Sequence, residues 1–594
     1  MTAIKGGEFL IKETEASNVF IPEEWTEEQK MIAQSCREFI KQEIFPNLDR
    51  IDNMEEGLME SILDKAGELG LLSIKIPEQY GGFGKDFITS MLITEITGTG
   101  HSFAVSFAAH TGIGTLPILY YGNDDQKQKY IPKLATGEWK GAYCLTEPGS
   151  GSDANSGKTK ALLSEDGKHY VLNGQKMWIT NAGFADIFTV FAKIDDDQNL
   201  SAFIVEKSFD GISLNPEEKK MGIKGSSTRQ VFFNNCKVPV TNLLGKREEG
   251  FKIALNILNL GRIKLAAAAL GGCKRTIHAS VKFANERQQF GRPISKYGAI
   301  RYKLAEQSIR TFAMESAVYR CSRDVDHAIK SLEESGLDPS EAILKGVEQF
   351  AAEAAILKVY GSETLDYVVD EGVQIFGGMG FSAEAPMDRA YRDSRINRIF
   401  EGTNEINRML IVDMLLRKAM KGELDLLPAA QKVASELMEI PDFSEPSTDP
   451  FELAHEHVKG FKKAVLMVAG AAAQKFTTAL AKEQEVLMNI SDMAIETYVA
   501  ESTLLRVEKL ASQRGIETCE AEIAIVNTLV YDTADRLAKF GKDTLHSFAE
   551  GDELRMMLMG LKRFTKTDAL NVKEERRKIA AKLIETNKYC FKTY

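Results

Sequence analysis

The chain has 594 residues, 44% of them apolar and 27% charged, and a net charge of −11. That is too long for one hydrophobic core and ordinary in composition for a globular protein, so several domains are expected. The acidic balance argues against a general nucleic-acid binder, which needs a basic face, and the seven cysteines stand singly with no CxxC pair, as reduced thiols rather than a disulfide frame or a zinc site.

Residues 1–25 read as an N-terminal segment without a signal-peptide apolar run, and Glu8, Glu13 and Glu15 argue against a transit peptide. No stretch reads as long and apolar enough to cross a bilayer, so a cytoplasmic bacterial protein, or an organellar one already processed, is expected. Residues 26–140 carry helical signals. Thr26-Glu-Glu-Gln29 is a capping box followed by Ile32, Phe39, Ile40 and Ile44 at helical spacing, and Phe87 to Tyr121 is apolar and rich in small residues. Residues 141–245 change to short β-branched and aromatic runs, punctuated by Asn173-Gly174, Asp210-Gly211 and Asn234-Asn235, which predicts a small antiparallel β-domain. Residues 246–422 return to helical periodicity, with a long helix from Gly250 to about Arg287 stopped at Phe290-Gly-Arg-Pro293. Residues 423–450, with Pro441, Pro446 and Pro450 among polar residues, read as a linker, and 451–594 as a further helical domain. The expected class is α+β multidomain, in the order helices, β-domain, helical bundle, extra C-terminal helices.

Three distant runs carry the chemistry. Cys144-Leu-Thr-Glu-Pro-Gly-Ser-Gly-Ser-Asp153 and Gln374-Ile-Phe-Gly-Gly-Met-Gly-Phe381 are glycine-rich loops that expose backbone to a large phosphate-bearing ligand. In Arg398-Ile-Phe-Glu401-Gly-Thr403 a lone carboxylate sits among apolar residues, as suits a base, though by pattern alone it equally fits a solvated glutamate before a helix N-terminus. No GxGxxG follows a strand, so a nicotinamide site is unsupported, and Gly157-Lys-Thr159 lacks the first P-loop glycine, its place being taken by Ser152. No HExxH or His–Cys pairing points to a metal.

In order and separation these runs resemble the motifs of the acyl-CoA dehydrogenases. The resemblance implies FAD-dependent α,β-dehydrogenation of fatty acyl-CoA to trans-2-enoyl-CoA, with electrons passed to electron-transfer flavoprotein. Such chemistry needs a base for the α-proton, donors for the developing enolate oxygen and a cofactor to accept the β-hydride, since no side chain accepts hydride. Glu401 takes the place of the family's base, and burial beside Ile399 and Phe400 would raise its pKa and strengthen it. Gly402 lets backbone approach the substrate, where an N–H can hold the thioester oxygen. Arg262 matches a position near the base; a cation there orients Glu401 but, too close, would lower its pKa.

By the same resemblance Tyr143, Leu145 and Thr146 lie along the flavin ring and Ser152 lies near the pyrophosphate and substrate. Trp178 and Thr180, two apart on one strand face, cover the flavin near N5. Arg287, with Gln289 and Phe290, and Gln374 with Gly378 reach the FAD of a neighbouring subunit, which implies a homodimer; a guanidinium suits a pyrophosphate. Thr403 and Glu405 hold ribose and phosphates, Glu405 standing where an amide or another acid is more usual. The small residues of Ala104–Gly112 suggest a deep pocket for long acyl chains, or simply close helix packing. The part beyond residue 420 resembles the C-terminal extension of the very-long-chain branch, whose members are homodimers and associate peripherally with membranes; here Lys573–Lys578 reads as an exposed helix face rather than a membrane anchor. Two rival functions share the fold: an acyl-CoA oxidase using oxygen, and a scaffold without catalysis.

Overall fold

The computed structural model describes residues 4–437, 447 and 449–591. Thr26 caps the helix Glu27–Phe39, its hydroxyl accepting from the Gln29 N–H while the Gln29 side chain accepts from the Thr26 N–H at 3.0 Å. Helices Phe87–Thr97, Ser102–Ala109 and Leu116–Tyr121 follow, the first buried along its whole length. The N-terminal segment is pinned against distant helices. The Gly7 N–H donates to Glu353 at 2.6 Å, Phe9 meets the Tyr498 ring edge-on, and Glu23 pairs with the buried Arg506.

The β-domain comprises β1 (Gly141–Cys144), β2 (Lys160–Leu163), β3 (His169–Thr180), β4 (Ile187–Ile194), β5 (Ser201–Glu206), β6 (Ile212–Leu214), β7 (Thr228–Pro239) and β8 (Leu243–Leu244). They pair in the order β6-β7-β3-β2-β4-β5-β8, with β1 also on β4. Most pairs are antiparallel, but β1–β4 and β2–β4 are parallel, which the strand-and-turn pattern did not reveal. Two of the expected turns are bulges instead. Asn173-Gly174 and Asn234-Asn235 lie inside β3 and β7, where the Asn235 N–H donates to Asn173 Oδ1 at 2.8 Å across the register shift. A second shift between Lys176 and Ile179 puts Trp178 at φ +61°.

The helix Gly250–Glu286 runs through the centre of the bundle and packs on Ala351–Phe376 and on Phe87–Thr97. It ends as expected before the hairpin Gln288–Gln289/Arg292–Pro293. The segment read as a linker contains a helix, Leu426–Glu436, whose Leu426 and Val433 are buried; Pro441 and Pro446 lie outside the described residues, and Pro450 begins the next helix rather than interrupting one. The C-terminal helices Gln484–Arg514 and Glu520–Phe548 pack on each other, and the former packs on Gly298–Glu334, joined by the buried pairs Arg320–Glu501 and Arg506–Glu315. The last helix, Val572–Thr586, is docked as well: Ile579, Ala580 and Leu583 are buried and Arg576 pairs with Glu306, so its apolar face is covered by the chain itself.

Three helical stretches do have the length and hydropathy to cross a bilayer: Ser102–Tyr121, Gly250–Glu286 and Pro450–Lys482, at mean hydropathies of 1.3 to 1.4. Alanine raises their average, and glycine and alanine interrupt any conspicuous run of large apolar side chains. In the first two, 72% and 67% of the most apolar window is buried within the protein, against 39% in the third.

Candidate functional site

Glu401 lies in a short loop between the turn Arg395–Arg398 and the helix Asn404–Met420. Its backbone is left-handed, φ +59°, and Gly402 follows at +81°. A non-glycine residue in that region carries about 1–3 kcal/mol of strain, so its surroundings must hold it there. They do. Asn407 Nδ2 faces the carbonyls of Glu401, Gly402 and Thr403 at 3.3, 2.8 and 3.0 Å, the Thr403 hydroxyl caps the helix by accepting from the Ile406 N–H, and Arg262 Nε donates to the Glu401 carbonyl at 3.4 Å. Arg262 is itself held by Asn259 at 2.7 Å. Arg262 therefore meets Glu401 through backbone, holding the loop without neutralising the acid.

The carboxylate turns inward. Oε2 is buried with no hydrogen-bond partner, and the group rests against Gly261, where a Cβ would stand 2.7 Å from Oε2. Burial pushes the Glu401 pKa up from 4.5 to about 7, with Arg262 and then Lys358 pulling the other way. Lys358 is buried and donates to Asn404 Oδ1 at 2.6 Å; burial lowers its own pKa to about 8. Gly261, Asn407, Asn404 and Lys358 escaped sequence reasoning. Leu260-Gly261-Arg262 was visible, but nothing local says that a glycine on one helix faces an acid 140 residues later. Among the described residues the N–H groups of Glu401 and Gly402 have no protein acceptor, so they remain available to an oxyanion.

Glu401 heads a cavity of about 220 Å³. One wall is a face of the central helix, from Gly261 through Leu265, Ala268 and Gly272 to Ala279. Another is the small-residue helix, including Ala104, Ala108 and Gly112. Thr180 reaches the same cavity from β3, so β-domain and bundle meet at one site.

The β-domain face beside it is built from the residues after β1. Tyr143 is buried, its ring centroid 4.9 Å from that of Phe191 and its hydroxyl without a partner; burial, then the Glu401 charge, raise its pKa. Leu145 is buried and its carbonyl accepts from Lys176 Nζ at 3.2 Å, and the Thr146 carbonyl accepts from the Met177 N–H at 2.9 Å. Glu147, overlooked in the sequence, anchors this loop: it pairs with the fully buried Lys176 at 2.6 Å and accepts from the Lys158 and Thr159 N–H groups. Ser152 lies exposed beyond it. Trp178 is 52% exposed although it sits between buried Lys176 and Ile179. A strained bulge holding an indole outward beside Thr146, together with the buried and unpartnered hydroxyl of Tyr143, fits a planar ring system stacked on this face.

The other cofactor candidates lie elsewhere on this chain. Arg287, Gln289, Phe290, Gln374 and Gly378 are all exposed and none is in the cavity wall. Phe283 stacks on Phe376 at 4.1 Å and so sets the 287–293 hairpin beside the 374–381 turn, forming one face on which Phe290 and Phe381 are 92% and 90% exposed. Thr403 is committed to its cap, and Glu405 is exposed with its pKa lowered by a backbone N–H.

This combination of a helical domain, a small sheet and a helical bundle around the cavity that Glu401 heads defines a class, and comparison with known proteins names it. The chain matches the acyl-CoA dehydrogenase N-terminal domain over residues 26–138, the middle domain over 142–236 and a C-terminal domain over 248–416; a second acyl-CoA dehydrogenase C-terminal domain matches 460–563. A probable acyl-CoA dehydrogenase of Bacillus subtilis is 47% identical over 98% of both chains. The rat mitochondrial very long-chain specific acyl-CoA dehydrogenase is 36% identical, over 82% of this chain and 75% of its own. A crystal structure of acyl-CoA dehydrogenase complexed with FAD from Bacillus anthracis superposes with a TM-score of 0.96 at 48% identity, covering 99% of this chain and 100% of that one. The chain belongs to the acyl-CoA dehydrogenase family, oxidoreductases that act on the CH–CH bond of acyl-CoA thioesters.

Proposed function

We propose that this protein dehydrogenates long-chain acyl-CoA at Cα–Cβ as a homodimer in the cytoplasm, with FAD as its cofactor and electron-transfer flavoprotein as its electron acceptor. The observation that carries the reading is the buried, unpartnered Glu401 carboxylate at the head of a long apolar cavity that Thr180 also lines. Tyr143, Leu145, Thr146, Trp178 and Thr180 would hold the flavin ring, with Ser152 near its pyrophosphate. FAD, when bound, supplies the two-electron acceptor for the β-hydride.

The chain's own residues do the rest. Glu401, ionised and poorly solvated, takes the α-proton. As that bond breaks, negative charge grows on the thioester oxygen, and the N–H groups of Glu401 and Gly402 are placed to donate to it; one such donor is worth about 2.7–4 kcal/mol in a dry site. Asn407 and Arg262 fix the loop so that base and donors move as one unit. Length follows from the cavity wall. Gly261 to Ala279 spans 18 residues of helix, about 27 Å at about 1.5 Å per residue, long enough for a chain of sixteen carbons at about 1.25 Å per methylene. The exposed face around Phe290 and Phe381 supports the homodimer, since two almost wholly exposed phenylalanines flanking Arg287 and Gly378 suit burial against a second subunit that brings its own FAD.

The test is spectroscopic. The purified protein should be yellow, and palmitoyl-CoA added without oxygen should bleach the flavin band. Rapid return of colour in air with stoichiometric peroxide would convert the reading to an oxidase. A protein that stays colourless with added FAD would leave only a scaffold.

A further inference from the structure

The far end of the cavity is not apolar. Arg275 lies on the same helix face as Gly261, 14 residues on, or about 21 Å along the axis at about 1.5 Å per residue, and lines the cavity there. Its Nη1 is buried with no hydrogen-bond partner, and no carboxylate among the described residues pairs with it. The guanidinium lies over the Phe45 ring, 3.6 Å from its centre. Burial and the neighbouring Arg389 both act against its charge. The carboxylates at this end are already engaged. Asp393 accepts from the Ile223 N–H and pairs with His101 at 3.0 Å, and Asp52 accepts from Arg389 and from Ser102. An aromatic face offsets only part of the cost of partly burying a cation, so Arg275, half-buried, is left short of a counter-charge inside a channel shaped for a chain.

We propose that the acyl channel accepts ω-carboxyacyl-CoA, the CoA monothioesters of long α,ω-dicarboxylic acids, with Arg275 receiving the terminal carboxylate. The inference rests on the reading of this cavity as the acyl channel. A planar guanidinium and a carboxylate make paired, charge-assisted hydrogen bonds. Helical side chains lean toward the helix N-terminus, so the guanidinium stands about 15–21 Å from the level of Gly261. At about 1.25 Å per methylene this matches a chain of about 14–18 carbons. A shorter diacid of about ten carbons would leave its carboxylate beside Ala268 and Ala269, with no donor from those side chains. Lys264 also faces the cavity, but only three residues from Gly261, too near the reacting carbons to serve a long chain's end.

The experiment compares the FAD-loaded enzyme on palmitoyl-CoA and hexadecanedioyl-CoA, and on decanoyl-CoA and decanedioyl-CoA. The quantity read is the ratio of kcat/KM for the ω-carboxy ester to that for the plain ester at each length. At sixteen carbons the ratio should lie within tenfold of unity, and at ten carbons at least a hundredfold below it. Arg275→Leu should lower the sixteen-carbon ratio at least tenfold, and Arg275→Lys should restore part of it. An equal penalty at both lengths, or a sixteen-carbon ratio that Arg275→Leu does not move, overturns the proposal. If Arg275→Leu fails to fold, the wild-type ratios at the two lengths decide. Failure of palmitoyl-CoA itself to react would overturn the acyl-channel reading instead.

Discussion

The carboxylate of Glu401 lies against the Cα of Gly261, so close that a methyl group there would stand 2.7 Å from Oε2 and 2.9 Å from Cδ. Helix and carboxylate are fitted to each other, and the fit gives a substitution that moves the carboxylate without removing it. Gly261→Ala should leave the helix intact, since alanine favours it, yet push the carboxylate off its position. The rate of flavin reduction should fall about a hundredfold, as for an ångström of misplacement. Stopped-flow absorbance with bound flavin measured beforehand checks this; an unaltered rate would show that the contact is slack.

Titration of Glu401 predicts opposite trends for activity and stability. As the proposed base, Glu401 works only when ionised, so flavin reduction at limiting substrate should accelerate as pH rises toward about 7 and then level off. Stability runs the other way, because the raised pKa means that the folded protein holds a proton the unfolded chain has released. The stabilising contribution of the protonated group is complete below about pH 4.5 and is lost as pH rises through about 7, a change on the order of 3 kcal/mol. Glu401→Gln should therefore raise the denaturation midpoint at pH 8 and much less at pH 5. Midpoints shifted equally at both values would argue against a buried, unpaired acid.

Lys176 and Glu147 should govern flavin retention rather than chemistry. Their pair is buried and ties β3 to the loop that follows β1. Lys176→Met strands a buried carboxylate, which costs about 3–5 kcal/mol, and should release most of the flavin on gel filtration. Adding Glu147→Gln should recover part of it, since the stranded charge is then gone. Full flavin content in Lys176→Met would show that the pair is dispensable.

The sequence singled out candidate residues and left the contacts that support them hidden. The glycine-rich loops and the long helix were readable because each is a local pattern, whereas Glu401 stood out only through the family resemblance. The contacts from Gly261 and Arg262 join segments about 140 residues apart and have no local signature, while Asn407, only six residues on, holds the loop through its carbonyls in a way the motif does not announce. The β-domain was recognised by texture, but Asn173-Gly174 and Asn234-Asn235 read as turns because a bulge uses the same residues as a turn; only the pairing of β3 with β7 tells them apart. The helix Leu426–Glu436 was lost to a proline-rich neighbourhood, and the bilayer-length helices to alanine and glycine, whose small side chains also make room for the cavity.

Channel length predicts the effect of filling it. Ala268 lines the cavity seven residues beyond Gly261, about 10 Å along the helix at about 1.5 Å per residue. Ala268→Leu should obstruct chains longer than about ten carbons, lowering kcat/KM for palmitoyl-CoA more than tenfold relative to octanoyl-CoA. A parallel loss at both lengths would place the chain elsewhere.

The most direct test compares wild type and Glu401→Gln by anaerobic rapid mixing with palmitoyl-CoA. Both should bind FAD, the isosteric amide leaving the fold and cavity unchanged. Wild type should bleach, and Glu401→Gln should bleach at least a thousandfold more slowly, because an amide cannot accept the α-proton. Bleaching of Glu401→Gln at the wild-type rate would contradict the assignment of the base and with it the account of this site.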